Sequence, residues 1–211
     1  MILFRLSPET LILLIPTLMF ALSFHEFAHA WMASKCGDNT AARMGRLTLN
    51  PMAHLDIMGS MMILFVGFGW AKPVPVDSRN LKDPRKDMMK IAAAGPISNL
   101  LLAMVAGMVW RLLGGTGLFS NPVFSVLILY FTQINIALAV FNFIPVEPLD
   151  GSKIFSGYLE KINPQLAWKI QSYGPQVLFG LILFGYITGF SILWLVMKPF
   201  VNFFMLLFIG M

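Results

Sequence analysis

The sequence predicts an all-α polytopic membrane protein. It expects about four to six hydrophobic segments, a three-helix core, and a short re-entrant or β-hairpin region around 57–76. Three observations carry that expectation. The 211 residues are 57% hydrophobic and only 12% charged, where soluble domains average about 25% charged. Three charge-free windows reach the roughly 20 residues a spanning helix needs. The basic residues gather between the windows, as positive-inside topology requires.

Residues 10–24 carry no charge, and the segment extends to about residue 34. It must be retained rather than cleaved as a signal peptide, because it contains His25, Glu26 and His29. Residues 57–71 are also charge-free but short, which suits a re-entrant or interfacial segment. Residues 91–110 form the next span. The window 112–146 is too long for one crossing. Gly114, Gly115, Gly117, Asn121 and Pro122 punctuate its start, so its helix begins near Val123.

The window 170–197 leaves two arrangements open. One is a single crossing over 175–197 followed by an interfacial segment. The other is a tight turn at Gly189 between two shorter segments. Lys198-Pro199 favours a break at that point. No internal repeat or separate soluble domain is visible. The expected organisation is one membrane domain over 1–211, with its core at about 9–160 and C-terminal hydrophobic segments at about 170–211.

Lys72, Arg79, Lys82, Arg85, Lys86 and Lys90 crowd one loop, and the Gly-rich loop after the next span has no basic residue. That asymmetry puts the basic loop in the cytoplasm. Arg43 and Arg46 assign the loop after the first span to the same side. The net charge of +5 is concentrated there and implies no nucleic-acid partner. Cys36 is the sole cysteine, so neither an intramolecular disulfide nor a thiolate metal cluster is available.

His25-Glu26-Phe27-Ala28-His29 is the chemical centre of the chain. Ionisable residues at membrane depth are expensive and mark function. Positions i and i+4 share a helix face, so both imidazoles can hold one metal ion. Glu26, about 100° around the helix, reaches water on that ion. H-E-x-x-H on a helix is a zinc-peptidase signature, with two ligands and a general base.

A catalytic zinc takes three protein ligands. No glutamate lies between Glu26 and Glu147, and His54, Asp38 and Asp56 are the nearby alternatives. The stronger candidate is Asp150 in Asn142-Phe143-Ile144-Pro145-Val146-Glu147-Pro148-Leu149-Asp150-Gly151. Pro145 and Pro148 break the preceding helix, and Gly151 permits close backbone approach. Asp150 as a plain helix cap is the competing reading.

HEFAH together with NFIPVEPLDG resembles the site-2 protease family of intramembrane zinc metalloproteases. GRLTLNP, GWAKPVPV and AAAGPISNLLLA resemble its compact prokaryotic branch, which carries no PDZ or nucleotide-sensing domain. The likeness covers about 15–155. It implies that His25, His29 and Asp150 hold one Zn2+ per chain, that Glu26 is the base, and that Asn142 steadies the tetrahedral intermediate. Glu147 departs from the family pattern, where proline is common.

The resemblance also implies a three-helix catalytic core and regulated intramembrane proteolysis. The enzyme would be a hydrolase in a prokaryotic cell membrane, with its active site toward the cytoplasm. Its partners would be the lipid bilayer and transmembrane or signal-peptide-like substrates. Gly67, Gly69, Trp70, Lys72 and Pro73 belong to a proline-marked extended segment that suits strand addition by substrate. His54 is expected in a structural place or as a contact behind the ligands. The rival class is a non-hydrolytic metal-binding transporter or scaffold. Transporters usually show repeated halves, and a non-hydrolysing protein has no need of Glu26.

Overall fold

A computed structural model describes residues 7–66 and 69–210. The described residues form eight α-helices and no strand. They are α1 (Pro8–Lys35), α2 (Thr40–Arg43), α3 (Ile57–Val66), α4 (Pro84–Leu113), α5 (Pro122–Asn142), α6 (Asp150–Ile162), α7 (Pro164–Thr188) and α8 (Ile192–Phe208). Among the described residues, three helices are long and apolar enough to cross a membrane: Thr10–Lys35, Pro84–Leu113 and Pro122–Asn142. The chain is thus an all-α polytopic membrane protein.

Local chemistry sets the helix ends. Proline opens α1, α4, α5 and α7 at the first helical turn, where its missing N–H costs nothing. Ser7, Asp83, Asn121 and Asn163 accept the orphan N–H groups beside those prolines. α1 stops at Gly37 (φ 110°), where Gly37 N–H donates to Ser34 O and Asp38 N–H to Ala33 O. That pair of bonds satisfies the last carbonyls in a Schellman turn.

α4 is the central helix. Of its most apolar window 56% is buried, against 33% in α1 and 28% in α5. It packs between α1, α5 and α6. A second apolar cluster joins Ala103 of α4, Ile136 and Val140 of α5, and Met197 and Val201 of α8. The end of α4 also caps α8: the Arg111 guanidinium donates to the carbonyls of Leu206, Leu207 and Phe208.

The C-terminal region takes the Gly189 arrangement. Gly189 ends α7 with φ 72°, and α7 and α8 meet at 96°. The break expected at Lys198-Pro199 is absent, since α8 runs through both residues. The N–H that Pro199 lacks would have reached only Leu195 O, and packing of Met197 and Val201 on α4 and α5 holds the helix together.

The 57–76 region is a short helix, α3, followed by an extended strap. One antiparallel bridge joins Leu55 to Ala71, and Lys72 N–H donates to His54 O. No β-hairpin forms among the described residues. The prolines at 73 and 75 withhold the N–H groups that a second ladder would use. Gly59 and Gly69 let α3 and the strap touch backbone to backbone: a Cβ on either would fall 2.0 Å from a carbonyl oxygen.

The far end of the strap is tied by Asp38, which is fully buried. Its carboxylate accepts from Thr40 N–H and Oγ1–H, Asp77 N–H and Asn80 Nδ2–H. Burial pushes this carboxyl up, but those donors outweigh it and hold the group below its ordinary range. The stabilisation is therefore present above the unfolded value near ~3.9 and is lost as pH falls toward the lower folded value. Asp38→Ala is expected to lower stability in detergent by about 2–3 kcal/mol at neutral pH. Melting temperatures of the two proteins should converge as the pH is lowered through ~4.

Candidate metal centre

His25 and His29 lie one turn apart on α1. Asp150 opens α6, which the proline-broken 143–149 loop delivers beneath them. His25 Nε2 and His29 Nε2 are 3.0 Å apart, and Asp150 Oδ2 is 3.1 Å and 3.2 Å from them. A tetrahedral ion with bonds of about 2.1 Å separates its ligand atoms by about 3.4 Å, so an expansion of a few tenths of an ångström accommodates it. Both imidazoles are buried and Asp150 is half-buried.

The tautomer of His25 follows from its neighbours. Asn135 Nδ2 donates to the backbone carbonyl of Phe131, which leaves Asn135 Oδ1 as an acceptor. Asn99 Nδ2 donates to that Oδ1 at 2.8 Å and to Ala21 O at 3.1 Å. Asn99 Oδ1 therefore accepts, and His25 Nδ1–H is the donor at 2.7 Å. His29 Nδ1–H donates likewise to Ile91 O at 2.7 Å. Each Nε2 thus carries a lone pair aimed at the other and at a carboxylate. Three electron-rich atoms so placed repel unless a cation lies among them, so the donor set fits a divalent metal.

Two glycines make room for this arrangement. A Cβ on Gly95 of α4 would fall 2.4 Å from His29 Nε2 and 2.5 Å from His25 Nε2. A Cβ on Gly151 would fall 2.4 Å from the carbonyl oxygens of Phe143 and Ile144. Without these glycines α4 could not lie against the nitrogens, nor could α6 tuck under its loop.

The three groups open onto a cavity of about 550 Å³ whose wall includes Glu26, Asn142, Gly69, Trp70 and Pro73. Glu26 is 9% exposed, and its Oε2 has no hydrogen-bond partner among the described residues. Asn142 ends α5 and gives one amide N–H to Leu138 O. Lys72 lies outside the wall, its backbone N–H and C=O both committed to the preceding loop. Gly67 lies outside the described residues. His54, expected in a structural place or behind the ligands, takes the structural one and braces that loop: Nε2–H donates to Thr48 O at 2.8 Å and Nδ1 faces Arg46. The nitrogen supports are Asn99 and Ile91 O.

The sequence reading placed neither Asn99 nor Asn135 at the metal site. The available signal was two amides within apolar spans, each needing partners. It also gave the C-terminal segments no part in the site, yet Pro175, Leu178, Phe179 and Ile182 of α7 form the cavity's far wall.

The family model described as Peptidase family M50 matches residues 13–127 and 116–185. A Bacillus subtilis protein named "Putative zinc metalloprotease YwhC" is 40% identical over 185 residues, covering 86% of this chain and 84% of that protein. Two mycobacterial proteins named for the same activity, both called Rip2, are more distant. That of Mycolicibacterium smegmatis is 30% identical over 73% of this chain and 59% of its own length. That of Mycobacterium tuberculosis strain Erdman is 28% identical over 78% of this chain and 63% of its own length. No solved structure matches the chain.

Asn135 touches no candidate ligand, yet it orients the amide that orients His25. Asn135→Leu and Asn99→Leu are both expected to weaken zinc binding by about 10–100-fold, read by chelator competition, with helix content unchanged. Gly95→Ala is expected to lose zinc outright.

Proposed function

The chain belongs to peptidase family M50, the site-2 protease family, and on that premise we propose that this zinc metalloprotease is an intramembrane endopeptidase. It cuts peptide bonds in or beside the transmembrane segments of other membrane proteins. The observation that carries the reading is the depth of the cluster. His25 and His29 lie about 15 Å and 9 Å along α1 from its Lys35 end, within a segment apolar enough to span the bilayer. The same cavity holds a buried carboxylate oxygen without a partner.

His25, His29 and Asp150 hold the metal in this reading. Zinc held there supplies Lewis acidity, which polarises a peptide carbonyl and makes water nucleophilic near neutral pH. Glu26 takes the proton of the attacking water and returns it to the leaving amine. Asn142 retains a second amide N–H beyond the one given to Leu138 O, and it donates that hydrogen to the oxygen on which charge develops. The free carboxylate oxygen of Glu26 argues against a purely structural or transport role, where a buried acceptor left unpaired is only a cost.

A helical substrate hides its carbonyls in its own hydrogen bonds and has to unwind before attack. The strap at 69–76 offers it an alternative set of backbone partners along the cavity wall, which Gly69, Trp70 and Pro73 help to line. The basic residues at 72–90, in the strap, the following loop and the first turns of α4, orient the molecule with the site toward the cytoplasm of a prokaryotic cell membrane. Regulated cleavage of membrane-anchored proteins or of residual signal peptides is the activity this geometry suits.

Glu26→Gln is expected to retain zinc and to lower cleavage of a single-span substrate in detergent by about 10²–10⁴-fold; equal cutting by both proteins would end the assignment. Zinc analysis separates the third-ligand candidates. Asp150→Ala should lose the metal and His54→Ala should keep it.

A further inference from the structure

The loop at 45–54 has no place in the chemistry above, yet its side chains are unusually committed. Gly45 (φ 69°) follows α2, with Gly45 N–H donating to Ala42 O and Arg46 N–H to Ala41 O. This Schellman turn aims Arg46 inward. Arg46 is 5% exposed, and its guanidinium meets no carboxylate among the described residues. It donates instead to backbone carbonyls of the strap: Nη1–H to Pro73 O at 3.2 Å and Nη2–H to Lys72 O. Nη2 also faces His54 Nδ1 at 3.5 Å, and Nε has no partner among the described residues.

A cation buried on carbonyls alone is costly unless holding them matters. We propose that Arg46 is a positioning residue for substrate, gripping one edge of the strap so that the other edge stays open to the cavity. The proposal rests on the reading of the strap as the substrate's docking edge.

Amide geometry fixes which groups remain free. In a trans peptide unit the C=O and the following N–H point in opposite directions, and neither strap unit concerned is cis. Arg46 draws Pro73 C=O toward the loop, so Val74 N–H points away from it. Lys72 N–H is drawn to His54 O, so Ala71 C=O also points away. Neither Val74 N–H nor Ala71 C=O takes a partner among the described residues, and both residues line the metal cavity. The strap thus presents an acceptor at Ala71 and a donor at Val74. Arg46 further polarises the Pro73–Val74 amide, which strengthens that donor. Pro73 and Pro75 lack N–H groups, so a substrate shifted by one residue finds no equivalent donor.

The test uses two probes on the zinc-loaded, full-length protein in detergent. Acetohydroxamate engages the metal alone, and a leucyl-peptide hydroxamate engages the metal and the strap. Arg46→Met should weaken the peptide hydroxamate about tenfold or more, the worth of one hydrogen bond, and leave acetohydroxamate affinity unchanged. Arg46→Lys keeps the charge but cannot span two carbonyls, so it should recover part of the loss. Val74→Pro removes the donor without touching Arg46; it should show the same selective loss, and it decides the matter if Arg46→Met does not fold. Equal weakening of both probes, or no weakening of either, overturns the proposal. Failure of the wild-type protein to bind acetohydroxamate overturns the metal-site reading beneath it.

Discussion

Two imidazole lone pairs and a carboxylate oxygen within 3.2 Å of one another form the constraint on which the rest of the structure depends. Such a triangle is unstable without a cation and expensive at membrane depth even with one. The surrounding architecture makes it tolerable by removing alternatives. Nδ1 of each ring is tied to an acceptor on α4, so neither ring can turn its lone pair away. The amide chain from Asn99 to Asn135 extends that restraint through three helices and ends on a backbone carbonyl, a group that can only accept.

Close approach is the second requirement, and it explains where glycine falls. α4 lies against the ligand nitrogens through Gly95, α6 tucks beneath its own loop through Gly151, and the strap touches α3 through Gly59 and Gly69. Irregular backbone near the bilayer has to find partners within the protein. The strap finds them along one edge, at His54 O, Arg46 and Asp38. Its other edge faces a cavity in which a buried carboxylate also has a free oxygen. Unpaired donors and acceptors thus sit together at the cavity, as the proposed docking of an unwound peptide requires.

Much of this was legible in the order of the residues. Charge-free windows located α1, α4 and α5, and the Gly-Asn-Pro punctuation ending at Pro122 located the start of α5, because span length and turn chemistry act locally. The i, i+4 spacing of His25 and His29 paired them without further information, and the Pro-Pro-Gly context of Asp150 marked it as more than a cap. Lys198-Pro199 misled, because a proline's local cost in α8 is outweighed by apolar packing onto two other helices. His54 could be read from sequence only as structural or behind the ligands; its partners are carbonyl and guanidinium groups set by the fold of its own loop.

Sequence alone therefore determined the membrane-spanning class, the family and which side chains are candidates for the site, since each depends on composition or on local spacing and motif. Tertiary structure alone decided three things. It brought Asp150 to a pair of histidines more than a hundred positions away, it set the tautomer of His25 through Asn99 and Asn135, and it turned α7 into a wall of the cavity. The physical reason is common to all three: each is a distance between atoms on different helices, and no local periodicity encodes how separate helices pack.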